Sequence, residues 1–243
     1  MNERVNILGV KVDAVTMSQA VERVANLIDA GKPSIVATAN AEMLLRATHD
    51  AELKDILNAA SLVVPDGAGT VWAARHLGHR MPERVAGFDL VQQLMKVAPV
   101  KQWKIFLFGS APTIADKAKS KAEQLYPGIK IVGTRNGYFT SSDEPEIVSR
   151  IKSSRPDILL AALGVPKQEK WLAKFRDELN VPVSIGVGGT FDVMAGVVKR
   201  APLWMQRARL EWLFRAMLQP SRAGRLVALP KFVLKVHQQK VNG

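Results

Sequence analysis

The sequence predicts an α/β protein built on a mainly parallel sheet, and three observations predict it. Short apolar runs such as SIVATA, KIFLFG and DILLAALG alternate with helix-length amphipathic stretches, the order of a parallel sheet with crossover helices. Those runs are continuously apolar rather than alternating, as strands covered on both faces are. Glycine and polar residues follow several of them directly, as at strand-to-helix junctions that carry a ligand.

Taken in order, VNILGVKVD reads as a short hairpin or bent strand with Gly9 at the turn. Thr16-x-x-Gln19 is a capping box that opens a helix to about Ala30. SIVATAN (34–40) is a strand ahead of the helical AEMLLRA, and SLVV (61–64) a strand ahead of a helix through TVWAARHL. KIFLFG (104–109) leads into a helix to about Leu125, after which IKIVG (129–133) is a strand. DILLAALG (157–164) precedes the helix KQEKWLAKFRDEL, and VPVSIGVGG (181–189) closes the core. The pattern is a Rossmann-like three-layer core, placed at residues 1–196, followed by a basic helical C-terminal appendage at 197–243.

Composition narrows the function classes. At 47% hydrophobic and 23% charged, the 243-residue chain has a normal core. It has no cysteine, which excludes disulfides, thiolate chemistry and Cys-based zinc sites. MNERVNILGV does not read as a signal peptide, and no apolar run approaches the roughly 20 residues of a membrane span. A cytoplasmic protein is expected.

The net charge of +12 sits mostly at one end. From Lys199 onward ten basic residues face Glu211 alone, whereas residues 1–198 carry 24 basic and 21 acidic residues. Such asymmetry implies an anionic partner: nucleic acid, an acidic ligand or a membrane surface.

The strand ends point to a phosphorylated ligand. Gly109, Gly164 and Gly188 stand at three of them, where glycine admits a phosphate to the backbone and the next helix offers free N–H groups. Each alone is explained as a turn residue; together, with Lys167 and Gly189 beside them, they form a candidate nucleotide-binding set. There is no G-x-x-x-x-G-K-[ST] and no G-x-G-x-x-G, which disfavours a P-loop NTPase and a nicotinamide dehydrogenase. The four histidines lack metal-ligand spacing, and His76 and His79 read as loop residues. No Asp-x-Asp occurs to hold a metal on a diphosphate. No metal and no cofactor are therefore expected, and a diphosphate would be neutralised by arginine, lysine and backbone N–H groups.

TANAEM (38–43), VPDGAGTVWA (64–73), RVAGFDL (84–90), GVPKQE (164–169), GVGGTFDVMAG (186–196), KRAP (199–202) and LEWLFR…PSR (210–222) resemble the WecG/TagA/CpsF glycosyltransferase family, most closely its TagA-type branch. The likeness runs through essentially the whole chain. It implies an inverting transfer of N-acetylmannosamine from a UDP-sugar donor to C4 of the N-acetylglucosamine in a polyprenyl-diphosphate acceptor, a step of teichoic acid synthesis. WecG-type members use the uronic acid of that sugar, so UDP-ManNAc uronic acid is the alternative donor.

The resemblance also implies roles for residues. Asp66 becomes the base, although as a residue type at that place it suits a helix N-cap equally well. Thr38 and Gln168 join it as catalytic candidates, and Asn40 as a sugar-binding one, although Asn40 also suits a cap. Arg84, Arg215, Arg222 and Arg225 are implied at phosphates. The tail would then close over the nucleotide and hold the enzyme peripherally on the anionic inner face of the cell membrane. Leu226, Val227, Leu229, Phe232, Val233, Leu234 and Val236, interleaved with Lys231 and Lys235, suit an interfacial segment. A basic nucleic-acid-binding protein explains the tail but not the strand ends, so no nucleic acid is expected as partner. Self-association is compatible with this reading.

Overall fold

The computed structural model describes residues 3–202, 204, 205, 214 and 224–242, with the first residues of the last helix (224–227) described by their backbone only. β1 (Arg4–Ile7) and β2 (Val10–Asp13) form an antiparallel hairpin turning at Leu8 and Gly9. The core elements follow: α1 (Met17–Ala30), β3 (Ser34–Ala39), α2 (Ala41–Ala47), α3 (Ala51–Ala59), β4 (Leu62–Pro65) and α4 (Ala68–His76). Next come α5 (Gly87–Lys101), β5 (Lys104–Gly109), α6 (Ile114–Leu125), β6 (Lys130–Arg135), α7 (Glu144–Ser154) and β7 (Ile158–Ala162). The core closes with α8 (Lys167–Leu179), β8 (Val183–Gly186) and α9 (Thr190–Met194), and the chain ends in α10 (Gly224–Asn242).

The predicted strands are all present, and six of them form one parallel sheet in the order β4-β3-β8-β7-β5-β6. Successive side chains of a strand point to opposite faces, and here both faces are buried. Phe106 and Phe108 of β5 pack with Leu159 and Ala161 of β7 beneath α2, α3, α7, α8 and the hairpin. Ile105 and Leu107 pack with Ile158 and Leu160 on the other side, under α1, α5 and α6. This is the three-layer α/β architecture expected.

Local chemistry explains the element ends. The Thr16 hydroxyl accepts from the Gln19 N–H, and the Gln19 side chain returns the bond to the Thr16 N–H, the capping box expected at α1. Helices α3, α5 and α7 fall in stretches that the sequence pattern does not single out. Asp13 is a buried junction that sequence reading also missed. Its carboxylate accepts from Arg4 Nε at 3.1 Å, Arg23 Nη1 at 2.7 Å and the Val63 N–H at 2.8 Å, tying the hairpin and α1 to β4.

The last helix is more deeply integrated than an interfacial segment would be. Phe232 and Val236 are completely buried in the cluster that also holds Leu44, Leu53 and the hairpin valines. Helix α10 lies against α2 and α4. The Gln239 side chain donates to Asn6 O at 3.0 Å and accepts from the Leu8 N–H at 2.8 Å. His76, which ends α4 rather than lying in a loop, stacks on Trp72 at 4.9 Å and meets His237 at 3.3 Å. Phe232 and Val236 are therefore core residues, not membrane-facing ones; only the other side of the helix, with Lys231, Val233 and Leu234, faces outward. Phe232→Ala should lower unfolding free energy by about 3–5 kcal/mol, as expected when a buried phenyl ring is removed. Urea denaturation checks this, and a loss under about 1 kcal/mol would mean that the helix does not belong to the core.

Candidate active site

In an open parallel sheet the crevice lies beyond the carboxyl ends of the strands, where the chain reverses its direction of travel across the sheet. Here the direction reverses between β5 and β7: β5 leads outward to β6, while β7 leads back through β8 toward β3 and β4. Every strand end singled out from sequence opens on this edge.

β3 and β4 pair so that Ala39 lies opposite Pro65, and Asn40 and Asp66 leave the sheet side by side. The Asp66 N–H donates to Ala39 O at 2.9 Å. The Thr70 hydroxyl lies 2.9 Å from Ala39 O and 3.1 Å from Asp66 O, clamping the turn. The cap position of α4 is held by Gly67, with φ of 89°, so Asp66 stands one residue before it rather than at the cap itself. The cap reading of Asn40 holds, since its Oδ1 accepts from the Met43 N–H at 3.0 Å.

The RVAGFDL loop crosses the same edge. The Val85 N–H donates to Pro65 O at 3.0 Å, which brings half-buried Arg84 to the end of β4. Gly87 lies on Thr38; a Cβ there would come within 2.9 Å of the Thr38 methyl group. Asp89, which sequence reasoning passed over, holds Arg200 of the KRAP motif through Nη1–Oδ1 at 2.7 Å and Nη2–Oδ2 at 2.8 Å, with the guanidinium 4.8 Å above the Phe88 ring. The segment leading to the tail is thus fastened beside the crevice.

Thr38 and Gln168 form the buried frame of the site. The Thr38 hydroxyl donates to Gly186 O at 3.1 Å and the residue is 7% exposed. Gln168, 1% exposed, turns its Oε1 to two backbone donors, the N–H of Gly164 and that of Gly188, each at 3.1 Å. The N–H groups of both glycines are thus taken up by Gln168. Both have left-handed backbones, with φ of 80° and 53°, which glycine adopts without strain.

Gly109 owes its identity to close packing, because a Cβ would sit 2.4 Å from Ala162 O. Gly189 precedes α9 as its cap residue without a side-chain bond. Lys167 is exposed at the start of α8, its Nζ 4.2 Å from the centre of the Phe139 ring. Arg215 and Arg222 lie outside the described residues, as does the side chain of Arg225. Among the described residues no group of three or more His, Asp or Glu side chains could hold a metal ion.

One ionisable group of this site has no cue in composition or spacing beyond its place in GVPKQE. Glu169 is 2% exposed, and its Oε1 accepts from Gln168 Nε2 at 2.7 Å. Burial pushes its carboxyl from the ordinary 4.5 up to about 7, against smaller opposing effects from the Gln168 and backbone hydrogen bonds.

The profile of the glycosyl transferase WecG/TagA/CpsF family matches residues 5–243. The N-acetylglucosaminyldiphosphoundecaprenol N-acetyl-beta-D-mannosaminyltransferase of Bacillus subtilis (strain 168) is 38% identical over 215 residues, 88% of this chain and 83% of that one. The enzyme of the same name from Staphylococcus aureus (strain NCTC 8325 / PS 47) is 34% identical over 239 residues, 98% of this chain and 93% of its own. The chain belongs to the WecG/TagA/CpsF glycosyltransferase family.

The Glu169 carboxyl carries a pH-dependent stability term whose sign follows from its raised value. The folded state holds this proton more tightly than the unfolded chain, so the contribution is full below about pH 4.3, the unfolded value, and is lost as pH rises through about 7. Glu169→Gln removes the titration. Relative to the parent, the variant should gain up to about 3 kcal/mol between pH 5 and 8, read by denaturant unfolding at both values. Parallel changes in the two proteins would show that Glu169 titrates normally.

Proposed function

We propose that this member of the WecG/TagA/CpsF family is an inverting hexosyltransferase that moves N-acetylmannosamine from UDP to the C4 hydroxyl of the N-acetylglucosamine in undecaprenyl-diphosphate-N-acetylglucosamine. The names of the Bacillus and Staphylococcus relatives give the transferred N-acetyl-beta-D-mannosaminyl group and the acceptor. The observation that carries the mechanism is the setting of Asp66: at the crevice edge, beside Asn40, one residue before the Gly67 that opens α4.

Asp66 accepts the proton of the C4 hydroxyl as that oxygen bonds to C1 of the donor sugar. The C1–O bond to UDP breaks on the opposite face, and the diphosphate leaves with the electron pair, which inverts C1. A carboxylate with a reference pKa of about 3.9 is a weak base toward an alcohol, so proton transfer comes late, as bond cleavage makes the hydroxyl acidic. The leaving charge falls to Arg84 at the end of β4 and to the tail arginines Arg215, Arg222 and Arg225. The Asn40 carboxamide, its oxygen held by the Met43 N–H, turns its amide toward sugar hydroxyls. Thr38 and Gln168 act from beneath, through Gly186, Gly164 and Gly188. Gly109, Gly189 and Lys167 line the remaining strand ends for the nucleotide.

Residues 197–243 are the membrane-associating part of this reading, attached to an inner-face anionic surface. No helix among the described residues is long and apolar enough to cross a membrane. Helix α10 nevertheless presents exposed Leu234 and Val233 beside Lys231. A groove of about 440 Å³ between α2 and α10 is lined by Glu42, Leu45, Arg46 and His49 on one wall and by Lys231, Leu234 and Lys235 on the other. Its cations outnumber its one acid, which favours an anionic surface.

Asp66→Asn should retain the fold and UDP binding and lose transfer by about 10²–10⁴-fold. Turnover is read as UDP release with a soluble acceptor analogue, and near-normal rates would remove Asp66 from the chemistry. Transfer should persist in EDTA; loss on chelation and recovery with Mg²⁺ or Mn²⁺ would mean that a metal neutralises the diphosphate. Lys231→Glu together with Lys235→Glu should weaken binding to anionic vesicles in a salt-sensitive way while leaving turnover on the soluble acceptor within a few-fold. Equal losses in both assays would show that tail and crevice act as one unit.

A further inference from the structure

The crevice contains one buried ionisable group that the proposed transfer does not use. Glu169 Oε1 accepts from Gln168 Nε2, while Oε2 meets no hydrogen-bond partner among the described residues. A buried carboxyl with an unpartnered oxygen is unfavourable, and so calls for a physical reason.

The reason lies in the symmetry of the carboxamide next to it. A glutamine side-chain amide has nearly the same shape either way round, and only its hydrogen-bond partners decide which end is oxygen. In the observed orientation Oε1 faces the N–H groups of Gly164 and Gly188. Turned over, Nε2 would face two donors, and both backbone groups would lose their acceptor. The Glu169 oxygen, ionised or with the proton on Oε2, can only accept at this contact, so it holds the nitrogen end toward itself and the oxygen end toward the two loops.

Gly186 makes room for the arrangement. A Cβ there would lie 2.6 Å from Gln168 Nε2 and 2.8 Å from Glu169 Oε1. The carbonyl of the same glycine accepts from Thr38. One continuous set of contacts thus joins β3, β7 and β8 at the edge where Asp66 stands.

We propose that Glu169 is a positioning residue: its carboxyl fixes the orientation of the Gln168 carboxamide and, through it, the course of the Gly164 and Gly188 loops that floor the crevice. The proposal rests on the transferase reading of that crevice for its consequence, though not for its geometry. The raised proton affinity of the carboxyl fits the role. With the proton on Oε2 the group is uncharged in its apolar surroundings, and Oε1 remains an acceptor.

Three variants test it. Glu169→Gln can still offer a carbonyl oxygen at the same reach. Glu169→Met keeps the length and removes the acceptor. Glu169→Asp keeps the acceptor but withdraws it by one methylene, and serves if the Met variant does not fold. Two readouts are taken on the full chain: kcat and KM for UDP-N-acetylmannosamine with a soluble acceptor analogue, and hydrogen exchange of the Gly164 and Gly188 amides.

The Gln variant should stay within about threefold of the parent in kcat/KM and keep both amides protected. The Met and Asp variants should lose about 10–100-fold in kcat/KM, mostly in kcat, with faster exchange at Gly164 and Gly188. Unchanged exchange in a folded Met or Asp variant would overturn the proposal whatever the activity. A Gln variant as defective as the Met variant would overturn it too, because the carboxyl itself would then be needed. If the parent shows no transfer at all, the transferase reading fails, while the exchange data still decide the positioning.

Discussion

A single carboxamide oxygen holds the working edge of this protein together. Gln168 Oε1 collects the N–H groups of Gly164 and Gly188, and so joins the loops that leave β7 and β8. Parallel strands bond along their lengths, but the ladder stops at the carboxyl edge and leaves each exit loop to find its own partners. Satisfying two such donors with one side-chain oxygen removes two costs together. It also places the loops relative to β3, because Gln168 packs on Gly186 and Thr38 bonds the Gly186 carbonyl. Asp66 and Asn40 stand at the ends of β4 and β3, next to this frame.

The glycines make sense in that light. At a strand end glycine is often an opening for a phosphate, but here several are openings for the protein itself. Gly186 admits the Gln168–Glu169 pair, Gly87 admits Thr38 and Gly109 admits the Ala162 carbonyl. Replacing any of these hydrogens by a methyl group would push a neighbour on the crevice edge.

The final helix combines two environments on one cylinder. Phe232 and Val236, four residues apart, lie on one stripe and close the core over α2 and α4. Leu234 and Lys231 look outward, and Lys235 reaches back to the Thr48 hydroxyl at 3.1 Å. A helix seated by two buried side chains presents its outer face in a fixed orientation. A membrane-facing patch on it would hold the crevice in a constant relation to the surface. The Asp89–Arg200 pair adds a second anchor where the chain leaves the core for the tail.

The sequence by itself determined the fold class and the succession of strands and helices along the chain, and it drew attention to the carboxyl ends of the strands. Those follow from local rules: apolar runs too continuous for a half-exposed sheet, a capping box at Thr16, and polar residues gathered after the strands. It also carried the family motifs, which brought Asp66, Asn40, Thr38 and Gln168 to notice. Where each of these sits and what it touches was decided only by tertiary structure. Asp66 and Asn40 read alike as helix caps, yet Asn40 caps α2 while α4 takes Gly67 instead. Phe232 reads like its outward neighbour Val233, yet the one is core and the other surface. Glu169 and Asp89 are ordinary acids until one is found buried against an amide and the other gripping an arginine. The physical reason is that hydropathy and propensity act along the chain. Caps, buried pairs and burial itself are settled between residues as far apart as Asp89 and Arg200, by which donor meets which acceptor once the layers have closed.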